Sequence, residues 1–187
     1  MTEHLVVIDM QHVFGDPDSE WFTPRFAEIV PRIVALAERY APRVTFTRFV
    51  APAEPQGAWR PYYERFPFAL QPPDAPLYDL VEPFARYAGD AVAAPTFGKW
   101  GPELAGRVGR DDIVLAGVST DCCVISTALP AADAGTRIRL VTDACAGATD
   151  VSHEQALAVM GLYAPLIELV TTGDLAPDRH RLPTSGG

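Results

Sequence analysis

The chain has little cysteine, little positive charge and no long apolar run. Its three cysteines, Cys122, Cys123 and Cys145, are an odd number and make no disulfide framework. They suit a reducing, cytoplasmic setting. Cys122 and Cys123 are adjacent and would close only a strained ring. Lys and Arg total 15 against 24 Asp and Glu, a formal net charge of -9. No basic stripe exists to neutralise phosphates, which argues against nucleic acid and anionic membranes as partners. The apolar runs are of strand length, so no transmembrane helix is expected. The opening Met1-Thr2-Glu3-His4 lacks the basic region of a secretory signal. There is no internal repeat.

What is present is alternation. Five apolar segments have the length and composition of buried strands: Leu5 to Ile8, Val44 to Phe49, Ala91 to Ala94, Ile113 to Ala116, and Ile138 to Val141. A sixth runs from Ile167 to Val170. Between them, Phe26, Ile29, Val30, Ile33, Val34 and Ala37 recur at helical spacing. Leu77, Leu80, Val81 and Phe84 do so less cleanly, and Ser152 to Tyr163 suggests another helix. At 187 residues, one domain over residues 1–187 is expected. Strands alternating with helices predict a doubly wound, three-layer α/β sandwich around a mainly parallel six-stranded sheet.

One stretch breaks the alternation. Residues 50–76 carry Pro52, Pro55, Pro61, Pro67, Pro72, Pro73 and Pro76, with Trp59, Tyr62, Tyr63, Phe66 and Phe68. Long ordered inserts tend to be functional. A lid, a pocket wall or a subunit contact are all open readings. Residues 173–187 are expected to fray.

Ligands of open α/β sheets bind beyond the carboxyl ends of the strands. Asp9 follows the first strand, Lys99 the third, Asp121 and Cys123 the fourth, and Asp143 the fifth. An aspartate ending a wholly apolar strand needs a partner, and Lys99 or a backbone donor can supply it. Cys123 stands where a buried strand turns into a helix. Free N–H groups of a first turn lower a thiol's pKa and bind an oxyanion. A small core residue would fit the same place. Asp121 is a candidate cap for that helix, and Pro130 should bend it. His12 and His153 are expected to be structural, His4 and His180 exposed, and Cys145 part of the core. Trp59, Arg60, Tyr62 and Tyr63 are a candidate substrate wall. No arginine closes the turn after Cys123, which excludes a phosphatase loop.

Asp9-x-Gln11, Lys99 and Gly117-Val118-Ser119-Thr120-Asp121-Cys122-Cys123-Val124 together resemble the isochorismatase-like cysteine hydrolases. That family includes nicotinamidases and N-carbamoylsarcosine amidohydrolases. The likeness extends through Asp143-Ala144-Cys145-Ala146 and His153, from Leu5 to about Thr172. It implies an isochorismatase-like (Rossmann-like) topology, Cys123 as nucleophile, Asp9 as acid–base carboxylate and Lys99 as third member of a triad. It further implies an oxyanion hole at Ser119 and Cys123, and a cis peptide between Val118 and Ser119. Gln11, Phe14, Trp59, Tyr63 and Val118 are the candidate substrate-binding residues, and a homo-oligomer, dimer or tetramer, is expected.

Two departures matter. Metal-binding nicotinamidases carry histidines after the second strand, whereas this chain has Thr47-Arg48-Phe49-Val50-Ala51-Pro52. No catalytic metal or organic cofactor is expected. Lys99 is followed by Trp100-Gly101-Pro102, which sets the pocket beside the lysine apart from its relatives. The expected activity is metal-independent hydrolysis of a small amide or related C–N bond through a thioester. The alternatives are an isochorismatase-type enol-ether hydrolase, which needs Asp9 but not Cys123, and a non-catalytic small-molecule binding protein of the same fold.

Overall fold

The computed structural model describes residues 2–175. In chain order the elements are β1 (Glu3–Ile8), α1 (His12–Gly15), α2 (Phe26–Tyr40), β2 (Val44–Phe49), α3 (Trp59–Arg65), β3 (Val92–Ala94), α4 (Pro102–Val108), β4 (Asp112–Val118), α5 (Ile125–Asp133), β5 (Ile138–Ala146), α6 (Asp150–Gly161) and β6 (Ile167–Val170). The six strands form one parallel sheet in the order β3-β2-β1-β4-β5-β6. Its two faces are legible in β1. Leu5 and Val7 pack beneath α2, while Val6 and Ile8 join the core that includes Leu104, Val124 and Met160. Helices cover both faces, as the alternation predicts.

The strand order reverses between β1 and β4, so their carboxyl ends lie side by side. Close approach there depends on Gly117, paired with Ile8. Its φ is +118°, and a Cβ at this position would lie 2.2 Å from the Ile8 carbonyl oxygen. Only glycine meets both demands.

Several local expectations change. β5 does not stop at Val141. Its register against β4 jumps between Leu115 and Gly117, and it continues to Ala146. Asp143 therefore lies within a bulged strand rather than beyond a strand end. Its carboxylate accepts the Thr172 N–H at 2.8 Å and the Thr172 hydroxyl at 2.6 Å. The helical pattern at Leu77 to Phe84 gives no α-helix. Prolines interrupt it, and two 3₁₀ turns, Pro76–Tyr78 and Ala85–Asp90, stand in its place. α6 starts at Asp150, ahead of Ser152, because Thr149 and Ser152 form a reciprocal capping box. His4 is buried, with Nε2 2.9 Å from Thr45 Oγ1. At the carboxyl end, Thr171 and Asp174 close a turn and Leu175 is 2% exposed. The rest of the tail, with His180, lies outside the described residues. No helix among the described residues is long and apolar enough to cross a membrane.

Candidate active site

Asp9 is the first residue beyond β1. It has φ of +50°, uncommon for a residue with a Cβ. Its backbone N–H donates to Thr47 Oγ1 at 3.2 Å, and that hydroxyl donates to Asp9 Oδ1 at 2.6 Å. Asp9 Oδ2 lies 3.0 Å from Lys99 Nζ, with both side chains 0% exposed. The ammonium also donates to the Thr96 carbonyl at 2.7 Å and sits 5.5 Å from the centre of the Phe49 ring. Asp9 Oδ2 accepts no well-directed hydrogen bond.

Cys123 closes this group from β4. The chain leaves the strand through a cis peptide between Val118 and Ser119 and enters a wide π-turn, Thr120–Val124. Ser119 O accepts from Cys122 N–H at 3.0 Å and from Val124 N–H at 3.1 Å. Asp121 does not cap α5. Its Oδ1 accepts the Ala148 N–H at 2.9 Å and so ties the turn to the loop after β5. Thr120 Oγ1 lies 2.8 Å from His153 Nδ1, a structural link to α6.

Pro130 lies inside α5. A proline there cannot donate to the Ser126 carbonyl one turn earlier. The loop carrying Lys99 packs against that carbonyl: a Cβ on Gly98 would lie 2.6 Å from Ser126 O. Thr127 completes the joint. Its hydroxyl donates to Cys123 O at 2.7 Å and accepts the Lys99 N–H at 3.0 Å. One buried hydroxyl thus fixes the backbone of both Lys99 and Cys123.

Cys123 is 4% exposed. Burial pushes its thiol well above the ordinary thiol range, the Asp9 carboxylate adds to this, and the Lys99 ammonium opposes it. Burial therefore works against the helix-start effect expected from sequence. Cys122 is raised to about 11, chiefly by burial and then by Asp121. Cys145 is raised to about 12 by burial.

Above the thiol lies a cavity of about 230 Å³. Its walls are Phe14, Trp21, Phe22, Phe49, Trp59, Tyr62 and Phe97, with Glu20, Ser119, Cys122, Cys123 and Ala148. Of the candidate binding residues, Phe14 and Trp59 are in place and three are not. Gln11 is fully buried and clamps backbone instead, donating to Phe49 O at 2.9 Å and accepting from Phe49 N–H at 2.7 Å. Tyr63 faces a separate groove beside Arg60 and Glu64. Val118 is buried in the core under α2. Arg60 is exposed and bonded to Pro55 and Gln56. Trp21 and Phe97 were missed by sequence reasoning. The available signal was position: Phe97 lies two residues before Lys99, and Trp21 in the connection between α1 and α2. The 50–76 insert is a pocket wall through α3, which presents Trp59 and Tyr62. Cys122 and Cys123, neighbours in the π-turn, both line the cavity.

Among the described residues, no three His, Cys, Asp or Glu side chains gather as a metal-ligand group. Within β2 the hydroxyl of Thr47 serves Asp9, and Val50-Ala51-Pro52 just beyond the strand brings no imidazole. The donor set does not fit a catalytic metal.

Comparison with known proteins agrees with this fold. A cysteine hydrolase from Pseudomonas syringae has the same fold, with a TM-score of 0.78 at 21% identity over 92% of this chain and 90% of that one. An isochorismatase family protein from Desulfovibrio vulgaris superposes with a TM-score of 0.77 at 21% identity, covering 93% and 96%. The pyrazinamidase of Pyrococcus horikoshii, solved in complex with zinc, gives 0.69 at 23% identity over 91% and 99%. The mouse isochorismatase domain-containing protein 2A is 36% identical over 58 residues, which are 31% of this chain and 28% of that protein. The isochorismatase domain model matches residues 3–172, nearly the whole described chain, and the protein belongs to the isochorismatase family of hydrolases.

Proposed function

We propose that the protein is a metal-independent cysteine hydrolase of small amides or related C–N bonds, acting through a thioester on Cys123. The observation that carries this reading is the buried Asp9–Lys99 pair set beside the buried Cys123 thiol. A packing role for Cys123 requires neither charge, and burying a charged pair without a function is costly.

The thiol proton passes to Asp9 Oδ2 as Sγ bonds to the substrate carbonyl carbon. The carbonyl electrons move to oxygen, which the backbone N–H groups of Ser119 and Cys123 receive. Lys99 keeps its proton and offsets the negative charge that shifts between sulfur and carboxylate. Collapse breaks the C–N bond, and Asp9 returns the proton to the departing amine. Water then adds to the thioester carbon while Asp9 takes its proton. The C–S bond breaks, the proton returns to sulfur, and a carboxylic acid leaves.

The test is a panel of small amides, carbamoyl compounds and isochorismate, run with the parent chain and Cys123→Ala. Amide turnover lost in Cys123→Ala supports the reading. Isochorismate turnover that survives Cys123→Ala identifies an enol-ether hydrolase instead. Ligand binding without turnover of any class identifies a binding protein.

A further inference from the structure

The cavity wall has an unusual charge pattern. Trp59 meets Tyr62 at 5.3 Å and Phe97 at 5.4 Å between ring centres. Trp21 packs directly on this wall, 6.0 Å from Tyr62 and 5.5 Å from Phe49. The rings form a sleeve leading down to the thiol, with Phe97, 37% exposed, at its mouth. Glu20 is the one charged side chain on the lining, and it is an anion. The Asp9–Lys99 pair below is neutral as a unit. Nearby guanidiniums among the described residues are engaged elsewhere: Arg25 with Glu28, Arg60 with Pro55 and Gln56, and Arg65 over the Phe66 ring.

We propose that this aromatic sleeve is a charge filter: it admits amides whose remaining substituents are uncharged or cationic and flat, and turns carboxylate-bearing ones away at Glu20. The proposal deepens the hydrolase reading and rests on it for the word amide. Ring faces carry negative quadrupole potential, which attracts cations and repels anions. A carboxylate entering the sleeve loses water and finds no cation to replace it. Glu20 adds direct repulsion at the rim. The cavity is also smaller than the roughly 300–1,000 Å³ of drug-sized ligand sites, so it suits a single ring or a short chain.

The test is calorimetric binding to full-length Cys123→Ala, which cannot turn ligands over. Three para-substituted benzamides share one scaffold and carry a neutral, a cationic and an anionic para group: 4-methylbenzamide, 4-carbamoylbenzylammonium and 4-carbamoylbenzoate. The neutral and cationic ligands should bind, and the anionic one should bind about tenfold more weakly or worse. Glu20→Lys, an exposed substitution, should shrink that gap. No binding of the neutral ring, a gap under about tenfold, or a gap that Glu20→Lys does not shrink overturns the filter. Because binding is read without turnover, the two readings fail separately. Ligands that bind in this order while the parent chain hydrolyses no amide overturn the hydrolase reading alone. Amide hydrolysis with no charge order in binding overturns the filter alone.

Discussion

Asp9 Oδ2 and Lys99 Nζ are 3.0 Å apart and neither side chain reaches solvent. The two residues are 90 positions apart in sequence and meet only because β1 and β3 both end at the same sheet edge. Lys99 is the one lysine of the whole chain, and it is buried.

Removing one member of this pair leaves a buried, uncompensated charge. Lys99→Met should cost about 3–5 kcal/mol of stability by chemical denaturation. The double variant Asp9→Leu, Lys99→Met should recover part of that loss, because it buries no charge. Equal or greater destabilisation in the double variant would show that the pair does more for the fold than neutralise itself.

Asp9→Asn keeps the shape and removes the base. Turnover should fall by roughly 10²–10⁴. Asp9 raises the Cys123 thiol and Lys99 lowers it, so this substitution leaves the lowering influence unopposed. The pH at which iodoacetamide reaches half-maximal labelling of Cys123 should move down. An upward move would contradict the assigned proximity.

Thr127→Val is nearly isosteric and strips the hydroxyl that joins Cys123 O to Lys99 N–H. Leaving those buried groups unpaired should cost about 1–3 kcal/mol. Gly98→Ala acts on the same joint, since its new Cβ meets Ser126 O. Both should slow turnover more than they weaken substrate binding, which a split of kcat from KM will show.

Stability should form a plateau bounded by histidines and thiols. Burial lowers His4 and His153 from 6.5, so the folded chain binds fewer protons than the unfolded one as pH falls below that value. Stability held above about pH 6.5 is then lost on acidification. Burial raises Cys122, Cys123 and Cys145 from 9.0, so the folded chain holds protons that the unfolded one releases. Stability present below pH 9 declines as pH rises beyond it. Urea midpoints across this range check both limbs, and His153→Gln should flatten part of the acid limb.

The sheet was legible because its strands are apolar runs of the right length, and central parallel strands must be apolar on both faces. The β1 run from Leu5 to Ile8 and the β4 run from Ile113 onward needed no partner information. The end of β5 was hidden, since Asp143 interrupts the apolar run while the strand continues past it through a bulge. Asp9, Lys99 and Cys123 were legible as chemistry because each ends an apolar strand or follows one closely. Their supports were not. Thr47 and Thr127 carry no sequence signal of being hydrogen-bond hubs, because a threonine's partners are set by tertiary placement. The pocket was half legible for the same reason: Trp59 and Tyr62 stood out in a proline-rich insert, whereas Tyr63, the very next residue, faces away by helix geometry. Gln11 was misassigned because its amide pairs with strand backbone, a role that its position beside Asp9 does not disclose.

The most direct test of the account is mass spectrometry of the intact parent chain quenched in acid during turnover of an accepted amide. The account predicts a mass increase equal to the acyl group, mapped by peptide digestion to Cys123 and absent from Cys123→Ala. Turnover with no acyl adduct in single-turnover quench, an adduct on Cys122 or Cys145, or a Cys123→Ala chain that still hydrolyses the amide would contradict it.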